Sequence, residues 1–246
     1  MAIYTPEYFS GQGRVYIAPW VGGKRGALRW VGNVPELEIG VEVDKEEHKE
    51  SYSGKRLVDH TMIKETNTTF KAVLEEFTAE NLALAFRASV KAVEGATVSN
   101  ETVGGDALAV GDTLLLAHPS VSGLALKDSK SGTATTLKEG EHYEVDLKFG
   151  RITLLKTEGL IAPLKAAYTY GKATEIDMMQ AANEGYYVRF EGLNTAKGNA
   201  PVLIEMHKVD IDPAKTMNLI QDDLASFELE GNVLAVEGKT VKITKL

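Results

Sequence analysis

The chain contains no cysteine. That excludes disulfides, thiolate metal sites and a cysteine nucleophile, and it fits synthesis in a reducing cytoplasm. Long apolar runs are also missing. No stretch approaches the roughly 18–20 consecutive apolar residues that cross a bilayer, so no membrane partner is expected. Residues 1–7 show neither the basic nor the apolar region of a signal peptide. Basic charge is in deficit: 27 Lys and Arg stand against 35 Asp and Glu, a formal net charge of −8. A protein that grips phosphates usually presents a basic face. The plain account of the acidity is solubility; the sharper one is a surface that must not stick to DNA.

Catalytic signatures are absent as well. Among His48, His60, His118, His142 and His207 no two are spaced as a tight zinc cluster requires. Ser53-Gly54 and Ser122-Gly123 do not form a nucleophile elbow, and Gly11-x-Gly13 lacks the third glycine of a dinucleotide loop. Asp210-Ile211-Asp212 starts like a calcium loop, but the downstream spacing fails. The expectation is therefore a protein that is no enzyme, with no cofactor and no metal.

What is present is patterning. The length of 246 residues and a hydrophobic content of 43% allow one large β domain, or a domain with an insertion. Residues 13–20 and 27–32 read as strands around a glycine-rich turn. In residues 36–44, Leu37, Ile39, Val41 and Val43 alternate with Glu36, Glu38, Gly40, Glu42 and Asp44. This period of two predicts one buried and one wet face. A polar stretch, residues 50–60, then leads to a second extended run over 61–77, in which Phe70, Ala72 and Leu74 share a face. The pair reads as a long hairpin whose tip of roughly ten residues exceeds the usual ~2–5. One helix is predicted over 78–88, with Thr78 as N-cap and Leu82, Ala85, Phe86 and Ser89 on its inward stripe. From 91 to 172 the texture turns to short strands and small polar residues, including a hairpin around Lys148-Phe149-Gly150. Longer strands return over 186–191, 201–211, 224–230, 233–237 and 239–244, with turns at Gly231-Asn232 and Glu237-Gly238.

Two features carry functional content. Glu36, Glu38, Glu42, Asp44 and Glu46 form an acidic stripe with neighbours about 6.6–6.8 Å apart on one strand face. It is either an ordinary solvated face or a wall that a polyanion must slide past. The loop at 50–60 holds Tyr52, Gly54, Lys55, Arg56 and Leu57. It is either a mobile surface loop or an interface arm, since Tyr and Arg are frequent interface anchors.

Tyr52-Ser53-Gly54-Lys55-Arg56-Leu57, the Thr-rich strand after it, and Phe77-Thr78-Ala79-Glu80-Asn81-Leu82-Ala83-Leu84-Ala85 together resemble the major tail tube proteins of long-tailed, siphovirus-type bacteriophages. So do Gly185-Tyr186-Tyr187-Val188-Arg189-Phe190-Glu191-Gly192-Leu193-Asn194, Pro201-Val202-Leu203-Ile204-Glu205-Met206-His207-Lys208-Val209 and Leu219-Ile220-Gln221-Asp222-Asp223. The likeness covers residues 1–89 and 174–246. It implies a mainly β fold of two packed antiparallel sheets, a sandwich or barrel with one flanking helix. The tube domain would comprise 1–90 and 173–246, and 91–172 would be an inserted peripheral β subdomain. The resemblance also implies hexameric rings stacked around a DNA channel in the virion tail. The partners it implies are copies of the same chain, a tape measure protein and tail terminator or initiator proteins, with phage DNA passing unbound. In that frame the acidic stripe lines the lumen and the 52–57 loop reaches an adjacent ring. The rival reading is a β-sandwich adhesion module such as a carbohydrate-binding domain, which would need an aromatic platform. A hydrolase on a β scaffold is a remoter third.

Overall fold

The structure, a computed structural model, describes residues 6–182 and 184–246. The leader reading at residues 1–5 lies outside the described residues. The chain divides into two compact units, Met1–Val90 with Ile176–Leu246, and Lys91–Glu175. Strand accounts for 53% and helix for 5%, so the fold is mainly β with several antiparallel sheets and a single α-helix.

The elements run in the following order. First come β1 (Gly11–Val21), β2 (Lys24–Arg25), β3 (Arg29–Trp30), β4 (Glu36–Lys49), β5 (Val58–Leu74), α1 (Ala79–Phe86) and β6 (Ser89–Val93). The second unit holds β7 (Ala96–Val103), β8 (Thr113–Leu115), β9 (Val121–Lys127), β10 (Tyr143–Asp146), β11 (Arg151–Leu154) and β12 (Leu164–Tyr170). The chain then returns through β13 (Ala173–Asp177), β14 (Tyr186–Asn194), β15 (Ala200–Ile211), β16 (Phe227–Leu234) and β17 (Val241–Lys245).

The first unit is built on a nine-stranded sheet in the order β2-β1-β14-β15-β16-β5-β4, with β17 also on β15 and β3 also on β1. One strand turns this sheet into two layers. Val202–Met206 of β15 pair with β17, whereas Lys208–Ile211 pair with β16. The same edge of β15 therefore serves two partners in succession, and the sheet forks at His207, whose N–H donates to the Thr240 carbonyl at 2.9 Å. Val15, Ile17, Val188 and Met206 from one branch meet Phe70, Leu229 and Val233 from the other in a single core. The sheet is not a closed barrel, since β4 pairs only with β5.

Local chemistry explains much of this. Gly22 and Gly23 both take positive φ, the conformation of a tight two-residue hairpin turn, and β2 folds straight back on β1. Thr78 caps α1 by accepting from the Asn81 N–H at 3.2 Å. The helix buries Leu84, Ala85 and Phe86, with Leu82 half-buried, against the core. Ser89, expected on that stripe, lies instead in β6 and is exposed, because Arg87 takes a left-handed φ of 46° and ends the helix.

A second departure concerns Gly231-Asn232, expected as a turn. It sits inside β16, where Gly231 faces Phe70 on one side and Ile211 on the other. A Cβ there would lie 2.1 Å from the Asp210 carbonyl oxygen. Glycine is required for close backbone approach, not for a bend. Glu237-Gly238 does turn the chain, with φ of 52° and 76° between bridged Val236 and Lys239.

The second unit has its own core, centred on Leu126, Ile152, Leu154 and Leu164. Two three-stranded sheets build it, β10-β11-β8 and β7-β12-β9, and the hairpin over 148–150 joins β10 to β11. Asp128 is buried and accepts backbone N–H groups of Lys130, Thr135 and Ile161. Burial pushes its carboxyl up, but these donors outweigh that and hold it below the ordinary range.

Candidate functional site: the β4–β5 arm and its acidic face

β4 and β5 make an antiparallel hairpin from Glu36↔Val73 to Lys49↔Val58. Near its root, β5 is sandwiched between β4 and β16, and Leu37 and Ile39 pack on the main core. Farther out the hairpin stands alone. Val41 is 66% exposed and Val43 43%. The alternation had placed both in the core together with Leu37 and Ile39. The pattern is right and the burial is not, because the opposing layer ends before Val41. Ile63 and Val58, which pair with Lys45 and Lys49 on that same face, are also exposed. Four exposed aliphatic side chains thus continue this face out of the core, interspersed with Thr66, Thr68, Lys45 and Lys49, with nothing of the described chain upon them.

The opposite face carries the acidic stripe, and β5 modifies it in a way the sequence did not disclose. The register shifts by one residue between Asp44 and Lys45 and again between His48 and Lys49. Each shift inserts a bulge residue in β5, first Lys64 and then Asp59. Lys64 reaches Glu46 at 3.3 Å, and Asp59 reaches the His48 Nδ1 at 2.6 Å. At the root Lys71 sits between Glu36 and Glu228, 3.1 Å from each. Those two carboxylates, Glu228 first, push the Lys71 ammonium well above its usual range. The stripe is therefore paired at both ends. Glu38, Glu42 and Asp44 between them form no ion pair among the described residues. Across the sheet the acidic character continues through Glu228 and Glu230 of β16 and Asp210 of β15, with Glu230 bound to Lys215.

At the tip, β5 begins at Val58, so Val58, Asp59 and His60 belong to the strand and the connection is 50–57. The organising residue is Glu50, which the sequence reading passed over. Its side chain is buried and accepts the N–H groups of Tyr52 at 2.9 Å, Ser53 at 2.8 Å and Leu57 at 3.3 Å, as well as the Ser53 hydroxyl. The Ser53 hydroxyl and these amides bring the Glu50 carboxyl down to about 2. Gly54 and Arg56 take positive φ to close the loop, and the Glu50 N–H donates to the Leu57 carbonyl. Tyr52, Lys55, Arg56 and Leu57 are all exposed around this anchor. A Glu followed at short range by Ser and Gly is the one local signal of such a capped loop.

Other polar groups are used structurally. Asn81, buried in α1, accepts from the Arg29 guanidinium at 2.7 Å and donates to the Val31 and Glu76 carbonyls. Tyr186 packs on the core, and the Tyr187 hydroxyl donates to Glu205. Neither is free to serve as the stacking platform a carbohydrate module needs. Among the described residues no group of three His, Asp or Glu side chains is placed to hold a metal ion, and no helix is long and apolar enough to cross a membrane.

Residues 8–244 match the family described as protein of unknown function UCP028589. The chain belongs to that family. It is also 42% identical over 152 residues to the tail sheath protein of Burkholderia phage BcepMu, an alignment covering 58% of this chain and 30% of that protein. The chain thus spans less than a third of the length of the curated relative it matches.

Proposed function

We propose that the chain is a non-catalytic structural subunit of a phage tail, and specifically a tube subunit that polymerises as stacked rings around a DNA channel. The observation that carries this reading is the exposure of Val41, Val43, Val58 and Ile63 on one face of a hairpin over which none of the described residues forms a layer. Aliphatic side chains arrayed on a projecting strand pair are stabilised by a neighbouring subunit. Similarity to a tail sheath protein supplies the setting.

In this account the arm packs along an adjacent ring, with Tyr52, Gly54, Lys55, Arg56 and Leu57 at its tip and Glu50 pre-shaping the loop before contact. The acidic face, on which Glu38, Glu42 and Asp44 form no ion pair among the described residues, lines the lumen. Six-fold repetition makes it a belt that disfavours phosphate binding, so DNA passes without being held. An inserted subdomain at 91–172 lies on the outer surface of the tube. Further partners are a tape measure protein and tail terminator or initiator proteins, and the site of action is the virion tail after synthesis in the host cytoplasm.

A second reading, favoured by the relative's name, is a sheath subunit or a part of one. Electron microscopy of the purified protein at rising concentration separates the two. A tube subunit forms rings or narrow tubes with an open channel; a sheath subunit forms wider cylinders around a separate inner tube. A chain that remains monomeric in the presence of its tail partners overturns both.

A further inference from the structure

The connection between β15 and β16, residues 212–226, is long for a compact β domain, and loops of this size generally have a role. Its base is fixed. The Ala214 N–H donates to the Ala85 carbonyl at 2.7 Å, Lys215 binds Glu230, and Met217 packs on the main core. Past Met217 the chain leaves the body. Leu219 is 80% exposed, Ile220 98% and Leu224 90%, with Asp222 and Asp223 between them. Large aliphatic side chains at such exposure within one short segment are stabilised only by a partner surface.

An apolar cavity of about 270 Å³ lies beside the start of β15, lined by Phe9, Val202, Ile204, Ile243 and Leu246. Lys197 and Lys245 stand at its rim, both bound to Glu7. Apolar cavities of ~150 Å³ already hold a benzene-sized group, so this one admits aliphatic side chains.

We infer that Leu219, Ile220 and Leu224 of one copy dock in this cavity of a second copy of the chain. Apolar surface meets apolar surface, and Asp222 and Asp223 meet the Lys197 and Lys245 ammonium groups at the rim. The chain's own cavity is out of reach. Val202 and Ile211 are roughly 30 Å apart along β15, and only Asn218 separates the anchored Met217 from Leu219. Donor and acceptor lie at opposite ends of one strand, so each copy gives at one end and receives at the other. Such head-to-tail contacts propagate into a ring or a filament. The inference rests on the self-assembly proposed above and adds a second contact to that of the arm.

The absence of cysteine makes the test clean. The variant Ile220→Cys with Ile243→Cys, oxidised at assembling concentration, gives a ladder of covalent oligomers on a non-reducing gel. Either single variant gives nothing beyond a dimer. Asp222→Lys with Asp223→Lys raises the concentration needed for assembly about tenfold or more. Cross-linking confined to single chains overturns the inference, as does a wild-type chain that never self-associates. Rings or tubes without the ladder overturn it and leave the tail reading standing. A ladder from particles that are neither rings nor tubes keeps the inference and overturns the tail reading.

Discussion

The root and the outer half of the β4–β5 hairpin follow one sequence rule and meet different fates. Leu37 and Ile39 pack on the core, whereas Val41 and Val43, next in the same alternation, are exposed, with no layer of the described residues above them. Alternation specifies that a strand has two unlike faces. It does not say whether anything covers the apolar one, because the cover comes from strands distant in the chain. Where the cover stops, the same pattern leaves aliphatic side chains exposed.

Several substitutions would break or sharpen this contrast, the largest at the root. Phe70→Ala removes a fully buried ring between β4 and β16 and is expected to cost about 3–5 kcal/mol, read as a fall in the chemical-denaturation midpoint. Val41→Ser with Val43→Ser is the matched change on the arm. It should shift stability by less than about 0.5 kcal/mol while weakening assembly in sedimentation. A stability loss comparable to Phe70→Ala would mean that the arm is covered by its own chain.

Gly231→Ala tests the root from the backbone side. The added methyl would meet the Asp210 carbonyl oxygen at 2.1 Å, so β15 and β16 must separate. A loss of about 1–3 kcal/mol is expected, read as a fall in the chemical-denaturation midpoint.

At the tip, the effect is one of pH. Amide donors depress the Glu50 carboxyl to about 2, so the loop's order is complete above the ordinary carboxylate range and is lost as pH falls through about 2. The amide resonances of Tyr52, Ser53 and Leu57 should therefore hold steady from neutral pH to about 4 and then move together. A common midpoint near 4 would show that the three donors do not stabilise the charged form. A further small effect is expected for Lys71→Gln on the acidic face. It removes two exposed ion pairs and should change stability by less than about 1 kcal/mol, with the difference fading in high salt.

The reading of the sequence went furthest where the signal was local. Thr78 caps α1, Glu237-Gly238 turns the chain, and Tyr143 and Val145 pair with Leu154 and Ile152 across the 148–150 hairpin. It stopped where two segments distant in sequence had to meet. Lys64 and Asp59 carry no mark of bulge residues, since a bulge is a property of the pairing and not of either strand. Glu50 looked like one more acid in an acidic run, because the amides that bury its carboxylate converge only when the loop closes.

By itself, then, the sequence determined the class of the fold, the two-faced character of its strands, the cap of its helix and the tight turns at Gly22-Gly23 and Glu237-Gly238. All of these depend on backbone preferences and side-chain periods that act within a few residues. The tertiary structure alone decided that Gly231 serves close packing rather than a bend. It alone decided that β15 forks the sheet at His207 and that the apolar face of the hairpin outruns its cover. Each of those is set by which distant backbone lies alongside, and burial and strand pairing are free energies of that meeting, not of either segment alone.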